Sequence, residues 1–196
     1  MKTLISFCMV MMIMLVACTK DHFVQEEPLM LKKAKVQVPM RADFCATPDL
    51  DSPMMLIPIP GLDPLDPKSY LPSIMNVSGT ATHMGNVIPD LSVCEVETLV
   101  LVVEDGQYFL KQTGTGTMTA ANGDSYPITW WGKTSMADWT YVGEVTMYSG
   151  TGKFVGMSGI VDMIGAVDPV NGTNCWKADG FMEYLNHAFV TIKQVW

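Results

Sequence analysis

From Ile74 onward the chain alternates short apolar and polar runs, and glycine-containing turns separate them. In 113–120 every second residue is threonine and the residues between are Gly, Met and Ala. This period of two places alternate side chains on opposite faces of a strand. Asp105-Gly106 and Asn122-Gly123 are tight-turn dipeptides, because glycine accepts the positive φ that primed hairpin turns require. No segment has a convincing helical stripe, so the pattern predicts an all-β chain built of hairpins.

Eight strands are predicted, over 77–83, 92–103, 108–120, 125–131, 140–148, 153–167, 176–185 and 188–195. Short connections between consecutive strands are typical of a small antiparallel up-and-down barrel. Glycines within the strands favour a barrel over a flat sheet, because glycine permits sharp coiling and bulges. These glycines are Gly143, Gly156, Gly159, Gly165 and Gly180.

The chain before the barrel is rich in proline. Nine of the twelve prolines lie between Cys18 and Ser73, and helices and inner strands rarely tolerate that density. Alternation over 33–44 predicts a first strand, at a sheet edge because of Pro39. The apolar segment from Met54 to Pro60 is predicted to be irregular, so it either packs on the barrel or faces a protein partner. We therefore assign 30–73 to an edge strand and a Pro-rich loop packed on the body, and 74–196 to the barrel domain.

The N-terminus carries features of an export signal. Lys2 precedes an apolar run that is shorter than a typical membrane span, and Leu15-Val16-Ala17 precedes Cys18. These residues resemble the lipobox of bacterial lipoproteins, in which the cysteine thiol is acylated and the chain is cut just before it. The resemblance implies a signal peptide over 1–17, lipidation of Cys18 and a tether over 18–29. An ordinary cleaved signal peptide is the alternative.

The residues behind Cys18 bear on localisation. Thr19, Lys20 and Asp21 are followed by Glu26 and Glu27, an order that resembles the sorting signal of outer-membrane lipoproteins. A plain polar tether is the alternative interpretation. We expect a lipid anchor in the bacterial outer membrane, with the body on its periplasmic or cell-surface face.

Charge and cysteine usage narrow the classes of partner. The formal net charge is −8, and removal of 1–17 makes it more negative because that segment carries Lys2 and no acid. An acidic chain argues against nucleic-acid partners.

Cys45, Cys94 and Cys175 remain for the folded body, and one pair of them could form a disulfide in an oxidising compartment. No C-x-x-C or H-x-x-x-H spacing occurs, so we expect no metal and no cofactor.

Three ordered segments carry a family resemblance: SGTATHMG at 78–85, TAANGD at 119–124 and GTGKFVGMSG at 150–159. As a set they resemble bacterial secreted proteins and lipoproteins with a calycin-like barrel of the allene oxide cyclase and dirigent type. The resemblance covers about 74–184 and implies an eight-stranded barrel with an interior cavity. The polar site residues of the plant proteins do not map onto this chain, so the cyclase reaction is not implied.

Three polar residues are candidates for chemistry. His83 could serve as an acid or base, or its ring could bond a backbone carbonyl and hold a turn. Glu95 and Glu97 alternate with Val96, which places them on one strand face with Leu99, Leu101 and Val103. The two carboxylates could serve a glycosidase or bind a cation, or they could mark the exposed start of a strand.

Large aromatic residues are candidates for ligand contact, because rigid rings give contact area at little entropic cost. They would equally fill the middle of a small barrel. In a regular strand one ring of the adjacent pair Trp130 and Trp131 must face outward. The candidates are Trp130, Trp131, Trp139, Trp176 and Tyr141.

The sequence predicts a non-enzymatic lipoprotein whose barrel binds a small apolar ligand or a protein partner. One alternative is an isomerase or cyclase in which His83 or the pair Glu95 and Glu97 polarises an apolar substrate. Another is a structural or adhesive surface module, with a filled barrel and an exposed loop from Met54 to Pro60. Whether the polar candidates point into a cavity with room for a ligand discriminates among them, since a fold by itself does not.

Overall fold

A computed structural model describes residues 35–66 and 69–185. The predicted signal peptide, the lipidation site Cys18, the tether and the predicted strand 188–195 lie outside the described residues. Within the described ranges there is no helix that is long and apolar enough to cross a membrane.

Eleven strands and two short 3-10 turns make up the described chain. The turns are Pro89–Leu91 and Gly152–Phe154. The strands are β1 (Lys35–Pro48), β2 (Met54–Leu56), β3 (Tyr70–Pro72), β4 (Ile74–Ala81), β5 (Gly85–Asn86), β6 (Val93–Glu104), β7 (Gln107–Thr119), β8 (Ser125–Ser135), β9 (Thr140–Met147), β10 (Ser158–Val167) and β11 (Asn174–Leu185).

Nine of these strands form one antiparallel sheet that closes on itself. Its order is β1-β11-β10-β9-β8-β7-β6-β4-β5, and β1 also pairs with β4. The β1–β4 pairing leaves the two-residue strand β5 outside, so eight strands form the ring. The predicted small antiparallel barrel is confirmed, and β2 and β3 form a separate two-stranded ribbon.

Strand β1 completes the barrel instead of lying at an edge, which corrects the sequence-based assignment. Residues 42–46 pair with β11 on one side and with β4 on the other. Pro39 lies in the part of β1 that pairs with β11 alone, where a missing N–H is tolerated. The barrel therefore includes β1, which lies before the boundary predicted at residue 74.

Two other predicted elements differ from the structure. Strand β10 begins at Ser158 and not at Lys153, because Gly152–Phe154 forms a 3-10 turn and Gly156 adopts a φ of 74°. The segment Met54–Leu56, predicted to be irregular, pairs with β3. Pairing is possible there because the prolines of this segment lie on either side of the three paired residues.

A β-bulge in β6 changes which side chains share a face. Val96 pairs with Gly114 and Thr98 pairs with Thr113, so Glu97 is an extra residue. An extra residue inverts the alternation beyond it. Leu99 consequently lies on the inner side with Val96, and the predicted common face of Glu97 and Leu99 is wrong.

Inward-facing glycines allow large rings to fill the barrel. Gly114 lies opposite Trp130, and a Cβ on it would overlap the carbonyl oxygen of Glu95. The Trp130 indole Nε1 donates a hydrogen bond of 3.1 Å to the Thr115 carbonyl oxygen. A Cβ on Gly132 would overlap the ring of Tyr141. The rings thus occupy the volume that these two positions leave empty.

One end of the barrel is sealed by packed side chains. Phe154 is fully buried, and its ring centroid lies 4.9 Å from that of Tyr126. The Tyr126 hydroxyl donates a hydrogen bond of 3.0 Å to the Met84 sulfur. We call this the closed end, and it carries the turns 82–92, 120–124 and 148–157. The described connecting residues 49–66, 69–73, 105–106, 136–139 and 168–173 lie at the opposite end, which we call the open end.

A disulfide joins the two strands at the barrel seam. Cys45 of β1 lies directly opposite Cys175 of β11, and the two sulfurs are bonded across a sequence separation of 130. Cys94 is free and buried. Of the pairings that the sequence left open, the structure has Cys45 with Cys175.

The first prediction concerns the inward glycines. Gly114→Ala should lower the free energy of unfolding of the full chain by about 2–3 kcal/mol, because the new methyl group meets backbone that cannot rotate away. Thr117→Ala on the outer face of the same strand is the matched control, with a loss below about 1 kcal/mol. Urea titration measures both, and equal losses would contradict this account of the interior.

The second prediction concerns the seam disulfide. Reduction should lower the free energy of unfolding by about 2–5 kcal/mol, because the bond closes a long loop in the unfolded chain. Denaturation with and without reductant measures the difference. The double variant Cys45→Ala/Cys175→Ala should lose this response and Cys94→Ala should keep it. A response that persists in the double variant would show that another bond carries it.

Candidate functional site at the open end of the barrel

A pocket of about 280 Å³ lies at the open end. Its walls come from the ribbon β2–β3, from the ring strands and from the turns that leave them. We call it the mouth pocket, and its apolar wall includes Met55, Ile57, Ile59, Leu71, Leu99, Leu110, Met136, Trp139 and Val167. Apolar walls around a concave site are typical of a small-molecule pocket.

The ribbon β2–β3 forms one wall of this pocket and is hydrogen-bonded in place. Ile57 donates its N–H to the carbonyl oxygen of Ser69 at 2.8 Å, and Ser73 donates to that of Pro53 at 2.8 Å. Met55 lines the pocket, whereas its neighbours Met54 and Leu56 are each 48% exposed. The ribbon therefore has one face on the pocket and one on solvent.

The interior of the barrel holds much less space. Its cavity has a volume of about 40 Å³, which suits a group of the size of water but not a ring. Met75, Gln112 and Asn174 line both the interior cavity and the mouth pocket. These three side chains form the boundary between the two spaces, and we call them the pocket floor.

The pocket floor contains an unpaired polar atom. Asn174 is 8% exposed, and its Oδ1 accepts no hydrogen bond from the part of the chain that the structure describes. Burial raises the pKa of the Tyr141 hydroxyl, nearby Cys94 raises it further, and a hydrogen bond with the Asn174 side chain acts in the opposite direction. Burial also raises the pKa of the Cys94 thiol to about 12. Asn174 therefore belongs to a neutral polar cluster in an apolar surrounding.

Trp139 lines the mouth pocket from a strained backbone position. Its φ is 61°, which is unusual for a bulky residue. Its N–H donates to the Ser135 carbonyl oxygen at 3.0 Å, and its carbonyl accepts from Val167 at 2.9 Å. The Asp138 carboxylate accepts hydrogen bonds from the backbone and hydroxyl of Thr140. These bonds hold the indole at the pocket despite the backbone strain.

The structure separates the five candidate aromatics into three groups. Trp139 lines the mouth pocket. Trp130, Trp176 and Tyr141 line the small interior cavity and are buried in the core. Trp131 is on the outer face and is 38% exposed. The adjacent pair Trp130 and Trp131 therefore divides between the two faces of β8, and Trp139 is the candidate with room for a ligand beside it.

The polar candidates do not line either space. His83 lies at the closed end with a φ of 67°, and its Nε2 is 3.1 Å from the Pro39 carbonyl oxygen. Glu95 and Glu97 are exposed on the outer face, where Glu97 accepts a hydrogen bond of 3.1 Å from the Thr115 hydroxyl. Among the described residues, no group of three or more His, Cys, Asp or Glu side chains is arranged to hold a metal ion.

Sequence reasoning missed the pocket floor and the ribbon. Asn174 could have been found, because it is two residues before Trp176 and therefore shares its inward face in a regular strand. Gln112 follows Lys111 in a strand with an alternating pattern, but the pattern does not show which face is inward there. Met55 depends on the pairing of β2 with β3, which brings together residues separated by a proline-rich loop.

No protein-family model and no curated protein matches the chain. Among solved structures the chain is similar to a pterocarpan synthase dirigent protein, with a TM-score of 0.37 and 16% identity. The alignment covers 76% of this chain and 86% of the dirigent protein. The description of this chain as a barrel rests on its own strand pairing.

The third prediction follows from the buried thiol. The pKa of Cys94 rises from an ordinary value of 9.0 to about 12 in the folded chain, so the unfolded thiol loses its proton first. The free energy of unfolding should therefore fall as the pH rises from 9 towards 12.

Cys94→Ala tests this linkage. Its loss of stability between pH 8 and pH 11 should be smaller than that of the unsubstituted chain by about 2–3 kcal/mol. Burial also raises the pKa of Tyr126 and Tyr141, so part of the loss should persist. Urea titrations at both pH values measure it, with Thr117→Ala as the control. An identical loss in Cys94→Ala and in the control would contradict the burial of the thiol.

Proposed function

We propose that this chain is a lipid-anchored binding protein that holds one small apolar molecule in the mouth pocket. The observation that carries the proposal is the contrast between a mouth pocket of about 280 Å³ and an interior cavity of about 40 Å³. A 150 Å³ apolar cavity accepts benzene. The mouth pocket therefore has room for a molecule of about two fused rings or a branched chain of similar volume.

The pocket lining favours an uncharged ligand. Among the described residues that line the pocket, Asp168 is the one with an ionisable side chain, and its Oδ1 accepts a hydrogen bond of 2.8 Å from the Val170 N–H. An anionic ligand group would lose hydration in this pocket without gaining a partner of opposite charge. The one carboxylate available to a cationic group, that of Asp168, is exposed to solvent and not buried in the pocket. Binding is thus expected to come from apolar contact and shape.

The walls are preorganised for binding. The ribbon is fixed by its backbone hydrogen bonds, and Trp139 is held in a left-handed conformation beside the pocket. Because Trp139 is a bulky residue in a strained backbone conformation, we infer that its side chain has a functional role. Prior ordering of the walls lowers the entropic cost of binding.

The cellular location is the second part of the proposal. Leu15-Val16-Ala17-Cys18 supports acylation of Cys18 and anchoring to the bacterial outer membrane. The anchor would keep the barrel close to a source of apolar molecules. The sequence alone supports this part, and the pocket does not depend on it.

A protein partner on the ribbon is the second candidate. Met54 and Leu56 are each 48% exposed on the side away from the pocket. Two such residues on a short strand could contact another protein. An enzyme that uses His83, Glu95 or Glu97 is not proposed, because these side chains lie away from the mouth pocket.

The fourth prediction compares two neighbours on β2. Met55→Trp should weaken binding of naphthalene by about tenfold or more, because the larger side chain occupies the pocket. Met54→Trp is the matched control, because its side chain faces solvent and it should bind as the unsubstituted chain does. Isothermal titration calorimetry measures both.

The outcomes separate the two candidates. Loss of naphthalene binding in Met55→Trp alone supports the mouth pocket as the site. No binding of naphthalene by the unsubstituted chain, or equal binding by both variants, would contradict the pocket. A defect confined to Met54→Trp in capture of a protein partner would favour the second candidate.

A further inference from the structure

We infer that Asn174 is a specificity-determining residue and that the ligand is a neutral apolar molecule carrying a hydroxyl group, which donates a hydrogen bond to Asn174 Oδ1. This inference rests on the proposed function, because it places the hydroxyl of the bound molecule at the pocket floor. It concerns which apolar molecules bind and not whether they bind.

The first step is the position of Asn174. It lines both the mouth pocket and the interior cavity, so its side chain meets the deepest part of anything that enters from the open end. It is the first residue of β11 and pairs with Ala46 of β1 and with Val167 of β10. The ring strands therefore fix its backbone on both sides.

The second step is its missing partner. Asn174 Oδ1 is the one buried side-chain nitrogen or oxygen without a hydrogen bond among the atoms of the described residues. A buried acceptor without a donor destabilises a protein, so such an atom needs an explanation. A ligand donor supplies one, because the atom lies where a ligand would end.

The third step is the chemistry of that donor. The neighbouring Tyr141 and Cys94 are held in their protonated, neutral forms by burial, and the rest of the lining around Asn174 is largely apolar. A cationic ammonium group would be desolvated there without a counterion. A hydroxyl is small and neutral, and it carries the one proton that the acceptor requires.

The fourth step is size. The interior cavity of about 40 Å³ has space for a hydroxyl or a water molecule but not for a ring. The apolar body of the ligand would therefore remain in the mouth pocket, with its hydroxyl at the pocket floor. This geometry distinguishes an alcohol from its methyl ether. The methoxy group of the ether has no proton to donate, and it is larger than a hydroxyl group.

The experiment uses two probes of the same ring system, 2-naphthol and 2-methoxynaphthalene, and three forms of the full chain. The unsubstituted chain should bind 2-naphthol about tenfold or more tightly than the ether. Asn174→Leu replaces the amide by an apolar group of similar volume and should lose this preference while it still binds the ether. Thr134→Val is the matched control, because Thr134 is another buried polar residue of the pocket and its variant should keep the preference.

A readout without ligand checks the same residue. In the Tyr141→Phe background, where the hydrogen bond with the Asn174 side chain is already removed, Asn174→Leu should raise the melting temperature of the unliganded chain, because it removes an unpaired buried acceptor. A cooperative melting transition of Asn174→Leu alone would show that its weaker binding of 2-naphthol does not come from misfolding. A lower melting temperature in the Tyr141→Phe background would indicate that Asn174 Oδ1 has another structural donor and would contradict the inference.

The results distinguish failure of the inference from failure of the proposed function. Equal binding of the two probes by the unsubstituted chain, or a preference that survives in Asn174→Leu, would overturn the inference and leave an apolar pocket. No binding of either probe would overturn the proposed function as well. Calorimetric titration at pH 7, where the 2-naphthol hydroxyl keeps its proton, measures all three forms.

Discussion

The filling of a small ring of strands is the constraint on which the rest of the structure depends. Eight strands enclose an interior just wide enough for side chains, and here inward glycines lie against large rings. Gly114 lies opposite Trp130, and Gly132 lies beneath the ring of Tyr141. The rings fill the middle and leave a cavity of about 40 Å³. The interior therefore has no room for a ligand larger than water, whereas the mouth pocket at the open end does.

The two ends of the barrel differ for physical reasons that the topology makes plain. At the closed end, Phe154 packs on Tyr126, and Tyr126 bonds the Met84 sulfur. At the open end the chain between β1 and β4 is long, and its prolines limit pairing to the short ribbon β2–β3. The ribbon β2–β3 lies beside the open end of the strand ring, and the concave surface between them is the mouth pocket.

Alternation and turn chemistry were sufficient to predict the barrel, because both act locally. Asp105 and Gly106 adopt the positive φ values, 51° and 77°, that their dipeptide predicts for a primed turn. Long-range pairing was harder to predict, since the pattern of β1 does not show that it has two neighbours. The bulge at Glu97 depends on how β6 fits β7, so the inward position of Leu99 could not be derived from a period of two.

The candidate site was predicted less well, for a related reason. Large aromatic residues serve a core and a pocket equally, and burial decides between the roles. Trp130 and Trp176 belong to the core, whereas Trp139 lines the mouth pocket from a turn. The unpaired acceptor of Asn174 becomes visible only when every neighbour is in place. In this chain, polar residues at strand ends are therefore as informative about the position of the candidate site as the aromatic residues are.

Native mass spectrometry of the full chain, after exposure to an extract of the cells that produce it, tests the central claim most directly. The account predicts one small molecule of discrete mass per chain, released on denaturation, whereas an acyl group on Cys18 would remain covalently attached. A chain that emerges without any released molecule, under conditions in which a control barrel of known ligand stays loaded, would contradict the claim that the mouth pocket is a binding site.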